Sequence, residues 1–569
     1  MTRRVPLLLG SFAGYSSRWV WPDLIAGLTV WAVLVPESLA YATIAGVPPV
    51  VGLYAAVPAL ILYAVVGSSR HLVVGPMSAT AALSAGIVGT FVAGGSDRYV
   101  ALTTALALIT GVVGVAAGLA RLGFLASLIS EPVLKGFIVG LALTIVVGQL
   151  PKLFGIEGGE GDFFAKLWHL LTSLDQISWA TLAVGLLSLV VVLALRRWLP
   201  LVPGSLVAVL LGIIAVAVLD LDQHGVAIVG PIESGLPALG LPSGLGIDDY
   251  LALVGPAGGV LLIGFAEGLA AAKTYAAQAG YDIDANRELA GLGVANLGSG
   301  LASGMVVNGS LSKTAVNGGA GARSQLSGLT VAALTVVTLL FLTSLFEQLP
   351  EATLAAVVIA AVVELIDIPA LRRLYRVWTE RLAGIYGPAA RADFLAALMA
   401  MLGVLVFDTL PGLVIGIAVS MTLLLFRASR PHLTRLVRVA DGNGLWVDAD
   451  RHPDLHPEPG IVVVRVESGL FFANADHIRD HVRALAVAGV NAVVLDGETT
   501  PFIDVTAAGM LDQLTHDLAS QGVRLYFARD IGQVRDVLHH TQNDPGLTIY
   551  RDIDTALTAA RNQSHRPNT

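Results

Sequence analysis

From about position 24 to 427 the chain is a succession of apolar runs broken by short polar turns. Runs that are uninterrupted or nearly so fall at 24–45, 50–66, 98–119, 133–150, 178–195, 204–219, 252–272, 288–303, 325–346, 352–366, 393–407 and 411–427. A run of about 17–25 apolar residues suffices to cross a bilayer as a helix. Two further segments, 71–93 and 304–322, are broken by glycine and polar in their first halves. Counting both, the pattern predicts a polytopic α-helical membrane protein of about fourteen spans. Arg3 and Arg4 precede only Val5-Pro6-Leu7-Leu8-Leu9, too short for the apolar core of a signal peptide. With the N-terminus inside, 18 of the 22 Lys/Arg of residues 1–430 fall on cytoplasmic loops or ends, as the positive-inside rule requires. The loops 151–177 and 220–250 are then external and acidic.

Beyond 430 the pattern changes. Residues 1–430 hold 22 Lys+Arg and 24 Asp+Glu, and residues 431–569 hold 12 and 18, with nine of the twelve histidines. The expected domains are a transmembrane transport domain over 1–430, a Pro/His/Asp-rich linker over 431–458 and a soluble cytosolic domain over 459–569. In that last part, 460–466, 492–496 and 523–528 read as strands. Segments 475–488, 506–521 and 531–540 read as helices, together a small α/β domain.

Composition narrows the function. The chain is 55% hydrophobic and 13% charged, with mean hydropathy +0.74, against roughly 25% charged for a soluble domain. Disorder and collagen-like structure are excluded. A net charge of −8 without a basic stripe argues against nucleic acid as a partner. The absence of cysteine removes disulfides, thiolate metal sites and cysteine nucleophiles. No Ser/His/Asp set and no phosphate loop argues for an enzyme, and neither cofactor nor metal is expected. His477 and His481 are spaced i, i+4 on a helix without further ligands nearby, and read as a solvated face.

The broken segments carry the functional signal. His71-Leu72-Val73-Val74-Gly75-Pro76 reads as extended chain, and Met77-Ser78-Ala79-Thr80 as a helix start. Likewise Gly304 to Gly309 reads as extended, with Ser310-Leu311-Ser312-Lys313-Thr314 opening a helix. A half-helix N-terminus inside the membrane offers free N–H groups and partial positive charge, an anion site. The hydroxyls of Ser78, Thr80, Ser310 and Ser312 and the charge of Lys313 add to it. The bland alternative, small residues serving close helix packing, weakens when two such segments recur at a fixed distance. Ser78 and Ser310 are 232 positions apart, and Glu37 and Glu267 are 230 apart. Seven spans per half then give an inverted 7+7 repeat with two half-helices, and place Glu37 and Glu267 beside them. Carboxylates within spans are expensive and usually functional.

Several motifs give the chain a recognisable kinship. They are Asp23-Leu24-Ile25-Ala26-Gly27-Leu28-Thr29-Val30 with Val35-Pro36 to Pro48-Pro49, Gly67-Ser68-Ser69-Arg70 to Thr80, Asn286-Arg287-Glu288-Leu289, and Asn308-Gly309-Ser310-Leu311-Ser312-Lys313-Thr314-Ala315-Val316-Asn317. On these the chain resembles the sulfate permease (SulP) family of anion transporters. In the tail, Gly469 to Ala475 and Phe502-Ile503-Asp504-Val505-Thr506 resemble a STAS domain. Its bacterial anti-sigma antagonist relatives carry a phosphorylated serine where Val505 stands, so that switch is excluded, though Thr506 remains. The resemblance implies an elevator-type motion, a homodimer and a substrate site between spans three and ten. Residues Ser78, Ala79, Thr80, Gly309, Ser310, Leu311, Ser312 and Lys313 form it, lined by Tyr41, Glu37 and Glu267. The family often has Gln at position 37 and Arg at 313. An extra acid suggests protonation during transport, and Lys for Arg keeps the charge but loses the bidentate fork.

The leading expectation is proton-coupled uptake of a small inorganic anion, sulfate first, by a multi-pass protein of the cell membrane with N-terminus and STAS domain in the cytoplasm. Glu267 and Glu37 are the proton-coupling candidates. The alternatives are sodium-coupled bicarbonate transport, proton-coupled dicarboxylate transport, a passive anion channel, or a sensor signalling through its tail.

Overall fold

The computed structural model describes residues 8–12, 14–92, 96–159, 161–199, 202–363, 366–379, 389–407, 409–439, 444–541 and 547–564. The start at Arg3 and Arg4, position 93, positions 364–365 of the expected span 352–366 and positions 440–443 of the expected linker lie outside the described residues. Two compact units are present, residues 1–420 and 421–569.

The first unit is helical, in the order α1 (Val20–Ile44), α2 (Val50–Val66), β1 (Val73–Gly75), α3 (Ser78–Gly89), α4 (Asp97–Leu119), α5 (Glu131–Phe154), α6 (Phe163–Thr172), α7 (Trp179–Trp198) and α8 (Gly204–Leu219). It continues with α9 (Ile247–Ala279), α10 (Ala285–Leu301), β2 (Asn308–Ser310), α11 (Leu311–Gly319), α12 (Leu326–Val337), α13 (Glu351–Val363), α14 (Ile368–Thr379), α15 (Ala389–Phe407) and α16 (Thr409–Ser429). The division between the units falls within α16. Each expected apolar run contains a helix. Among the described residues, eight helices are long and apolar enough to cross a membrane, and four shorter apolar helices accompany them. The glycine-rich α10, opening on Asn286, Arg287 and Glu288, falls outside both groups. Two helices, α6 and α14, stand where the sequence pattern suggested only loops. At 10 and 12 residues with strongly one-sided apolar faces, they are too short to register as spans and instead suit an interface.

Small residues set the packing. Gly111 and Gly114 of α4 lie against Leu297 and Gly293 of α10, where an added Cβ would come within 2.5 Å of the Leu297 nitrogen and 2.8 Å of the Gly293 Cα. On the other face of α10, a Cβ at Gly298 would meet Leu62 of α2 at 2.3 Å. Such backbone approach is how helices associate where lipid removes the hydrophobic drive.

Two fully buried carboxylates pin loops beside the broken segments. Glu288, at the start of α10, accepts from the Tyr63 hydroxyl at 2.6 Å, from the amide and hydroxyl of Ser68 at 2.7 and 2.6 Å and from the Ser69 amide at 3.0 Å. Asp23, at the start of α1, accepts from the amides of Arg323 and Ser324 at 2.6 and 3.1 Å and from the Ser324 hydroxyl at 2.6 Å. A buried carboxylate stays tolerable when several directed donors replace its water.

The second unit is an α/β domain. Its six-stranded sheet has the order β4 (Trp446–Asp448), β3 (Leu433–Arg438), β5 (Ile461–Val466), β6 (Ala492–Asp496), β7 (Arg524–Ala528), β8 (Thr548–Tyr550). Strands β5 to β8 run parallel, and β3 is antiparallel to both β4 and β5. Alternation along β5 sends Val464 and Val466 into the core under α17 (Ala475–Leu485), α18 (Val505–Ser520) and α19 (Gly532–Thr541), and Val463 to the opposite face under α20 (Ile553–Ser564). The segment expected as a linker over 431–458 therefore contains two strands of this sheet. Arg435 and Arg438 interrupt the apolar residues of β3 at its exposed positions, which hid the strand among polar neighbours.

Candidate functional site

Strands β1 and β2 pair antiparallel with Val73 opposite Ser310, Val74 opposite Gly309 and Gly75 opposite Asn308. That pairing answers the difficulty of extended chain within an apolar interior, because each segment satisfies the other's backbone. It also brings α3, which begins three residues after β1, and α11, which begins directly after β2, to one place. Their first N–H groups have no acceptors within their own helices.

Buried amides hold the pair in position. Asn296 of α10 accepts from the Val307 amide at 2.9 Å and donates to the Val307 carbonyl at 2.9 Å. The Asn317 side chain donates to the His71 carbonyl at 2.9 Å. Gln325 donates to the carbonyls of Ser69 and Leu72 at 3.0 and 2.8 Å, and the Val73 amide donates to the Thr314 hydroxyl at 3.1 Å. None of Asn296, Thr314, Asn317 and Gln325 was assigned a role from sequence, although an amide side chain inside an apolar run is itself a signal.

Helix α9 completes the wall through glycine. A Cβ on Gly264 would lie 2.7 Å from the Asn308 side chain, and one on Gly309 would lie 2.9 Å from both the Gly268 Cα and Leu72. The Gly309→Ala variant is therefore expected to push β2 off α9, lowering the unfolding temperature by several degrees and weakening anion binding in the same samples. Ser312→Ala, at an exposed position of α11, should leave the unfolding temperature unchanged.

The charged groups are arranged as follows. Lys313, 1% exposed, points from α11 toward α1. Its ammonium lies 2.8 Å from Oε2 of Glu37, donates to the Pro76 carbonyl at 3.2 Å and sits 4.9 Å above the Tyr41 ring. The Glu37 contact lies off hydrogen-bonding alignment, so charge and not a directed bond holds it. Ser310 caps α11, its hydroxyl accepting from the Lys313 amide at 3.3 Å and lying 3.2 Å from that of Ser312. The Thr80 hydroxyl donates to the Met77 carbonyl at 3.3 Å. Ser78, Ala79, Thr80, Gly309 and Ser310 are buried, whereas Leu311 and Ser312 are exposed.

Glu267 stands apart from the Glu37–Lys313 pair. It shares a face of α9 with Gly264 and Gly268, its Oε2 is buried without a hydrogen-bond partner, and no cation among the described residues is within ion-pair distance. The sequence placed the two acids as equivalents, and the structure distinguishes them: Glu37 is neutralised and Glu267 is not.

In the second unit Asp504 caps α18 through the Ala507 amide and accepts from Phe472 N, each at 2.8 Å, while Val505 and Thr506 are exposed. His477 and His481 lie 6.5 Å apart between ring centroids, and burial, with His477 next, lowers the His481 imidazole below its usual pKa.

Comparison with known proteins agrees with this architecture. Residues 20–382 match the model of the sulfate permease family, and residues 452–556 that of the STAS domain. A probable sulfate transporter of Mycobacterium tuberculosis is 38% identical over 532 residues, covering 93% of this chain and 92% of that protein. Sulfate transporter 1.1 of Arabidopsis thaliana is 28% identical over 559 residues, covering 92% and 82%. Among solved structures, the murine Solute Carrier 26 family member A9 anion transporter in its inward-facing state superposes with a TM-score of 0.86 at 22% identity, covering 98% of this chain and 94% of that one. The transmembrane domain of the cyanobacterial bicarbonate transporter BicA gives 0.60 at 24% identity, covering 69% and 98%.

Proposed function

The chain belongs to the sulfate permease family, and from that premise we propose that it takes up a small inorganic anion, sulfate first, by proton-coupled secondary active transport. It is a multi-pass membrane protein with a C-terminal STAS domain, and a transporter in place of an enzyme. The observation that carries the finer reading is the juxtaposition of the α3 and α11 N-termini with a buried Lys313 already paired to Glu37.

The buried charges explain why protons would be needed. With Glu37 ionised, the site holds one positive and one negative side chain, so an arriving dianion meets no net attraction beyond the helix ends. A proton on Glu37 leaves Lys313 uncompensated, and the anion becomes its counter-ion. The Glu267 carboxylate adds a second point at which a negative charge is removed by protonation. Inward movement of a dianion against 100 mV, inside negative, costs about 4.6 kcal/mol at ~2.3 per charge. Two accompanying protons cancel that charge, and a third lets the potential drive uptake. Movement of the unit carrying the paired half-helices past the rest, an elevator motion, would expose the site alternately, and a homodimer is the expected assembly. The N-terminus and STAS domain are expected in the cytoplasm.

The test is uptake of labelled sulfate, bicarbonate and a dicarboxylate into proteoliposomes under an imposed proton or sodium gradient. Sulfate accumulation on a proton gradient supports the proposal. Accumulation of bicarbonate on a sodium gradient alone, or flux that only follows the anion's own gradient, would replace it with a sodium symporter or a channel.

The STAS domain is proposed to modulate transport without lining the path. Because β3 belongs to its sheet, the informative truncation ends before Leu433, near Arg430. That shortened chain is expected to insert and to bind sulfate within about twofold of the full chain, measured by equilibrium binding in detergent. A folded truncation without binding would make the domain part of the site.

A further inference from the structure

Helix α14 carries Arg372, Arg373 and Arg376 within twelve residues, and all three are exposed. Beside it lies a cavity of about 330 Å³ between α5, α14 and α15, whose wall is made by Val139, Ile368, Ala397, Leu398 and Met401, with Arg372 as the cation at its rim. That volume lies in the range of roughly 300–1,000 Å³ typical of small-ligand sites. On one side α5 and α15 meet closely at Gly136, where a Cβ would come within 1.9 Å of the Ala397 carbonyl oxygen. The helix is fixed over the cavity by a second contact. Lys135 of α5 donates to Asp367 at 2.8 Å, and Asp367 accepts the Ala370 amide at 3.0 Å. Arg372 has no carboxylate partner among the described residues.

We propose that this cavity binds an anionic phospholipid, one acyl chain entering the apolar space and the phosphate resting on Arg372 and Arg373. Apolar lining alone would accept any lipid tail. Arg372 at the rim, with the exposed Arg373 next to it in sequence, selects the headgroup, since guanidinium matches phosphate oxygens in geometry and charge. An amphipathic helix with a basic face lies in the bilayer interface, where anionic headgroups relieve the mutual repulsion of its cations. The bound lipid would brace α14 against α5 and α15 without touching a residue of the candidate anion site, so its effect on transport would be regulatory.

Full-length protein in detergent is incubated with phosphatidylglycerol or phosphatidylcholine of identical acyl chains, and retained lipid is counted by native mass spectrometry. Phosphatidylglycerol is expected to be retained about tenfold better, and the Arg372→Gln, Arg373→Gln double variant to reduce it to the phosphatidylcholine level. Leu398→Trp, which fills the cavity, should lower retention with the arginines intact. Unfolding temperatures of all variants are measured alongside, and if Leu398→Trp does not fold the arginine variant decides alone. Equal retention of the two lipids by the unaltered protein, or full phosphatidylglycerol retention by the double variant, overturns the proposal. Neither outcome bears on which anion is transported.

Discussion

Lys313→Ala is expected to weaken anion binding by about 1–3 kcal/mol, roughly 5- to 150-fold, the scale of a lost charge-assisted hydrogen bond. Its second effect follows from the pairing with Glu37 at 2.8 Å. Removing one member of a buried ion pair leaves the other uncompensated, which costs about 3–5 kcal/mol of stability. The single variant should therefore unfold at a lower temperature as well as bind poorly. The two effects separate in the double variant Lys313→Met, Glu37→Gln, in which no buried charge is left alone. That protein is expected to recover most of the lost stability and none of the affinity. Thermal unfolding in detergent and equilibrium binding of labelled sulfate, on the same preparations, provide the comparison. Unchanged affinity in a folded Lys313→Ala protein would move the anion away from the start of α11.

The helical architecture was legible because a bilayer demands long apolar runs, and this chain supplies them with few interruptions. The broken segments were legible for the opposite reason. Gly304 and Gly309 in one, and Gly75-Pro76 in the other, punctuate a segment that is also polar in its first half. Elements that answer to neither rule were lost: α14 is too short to span, and β3 has arginines at its outward positions. The antiparallel pairing of β1 with β2 joins residues more than 230 positions apart, and no local pattern encodes it.

At the site, residue identities were legible and partners were not. Lys313 stood out as a cation inside a broken span, and Glu37 as an acid inside an apolar run. That the two neutralise each other depends on how α1 packs against α11, which hydropathy does not report. Asp23 and Glu288 stood in recognisable motifs without a role. In three dimensions each is a hub of hydrogen bonds that holds a loop at one end of a broken segment.

The two acids at the site should respond differently to neutral replacement. Glu37→Gln removes the counter-ion of Lys313 while keeping the shape of the side chain. Anion binding at neutral pH is expected to strengthen, by up to about the tenfold that 1.4 kcal/mol represents. Glu267 has no cation within ion-pair distance among the described residues, so Glu267→Gln, imitating the protonated state, should change equilibrium binding by no more than a few-fold. It should nevertheless remove a proton-carrying group, so accumulation driven by a proton gradient falls while exchange of labelled for unlabelled anion continues. Uphill uptake, exchange and equilibrium binding measured together for both variants distinguish the roles. If Glu267→Gln still accumulates anion on a proton gradient alone while Glu37→Gln does not, the coupling proton rides on the Glu37–Lys313 pair, and Glu267 serves another purpose.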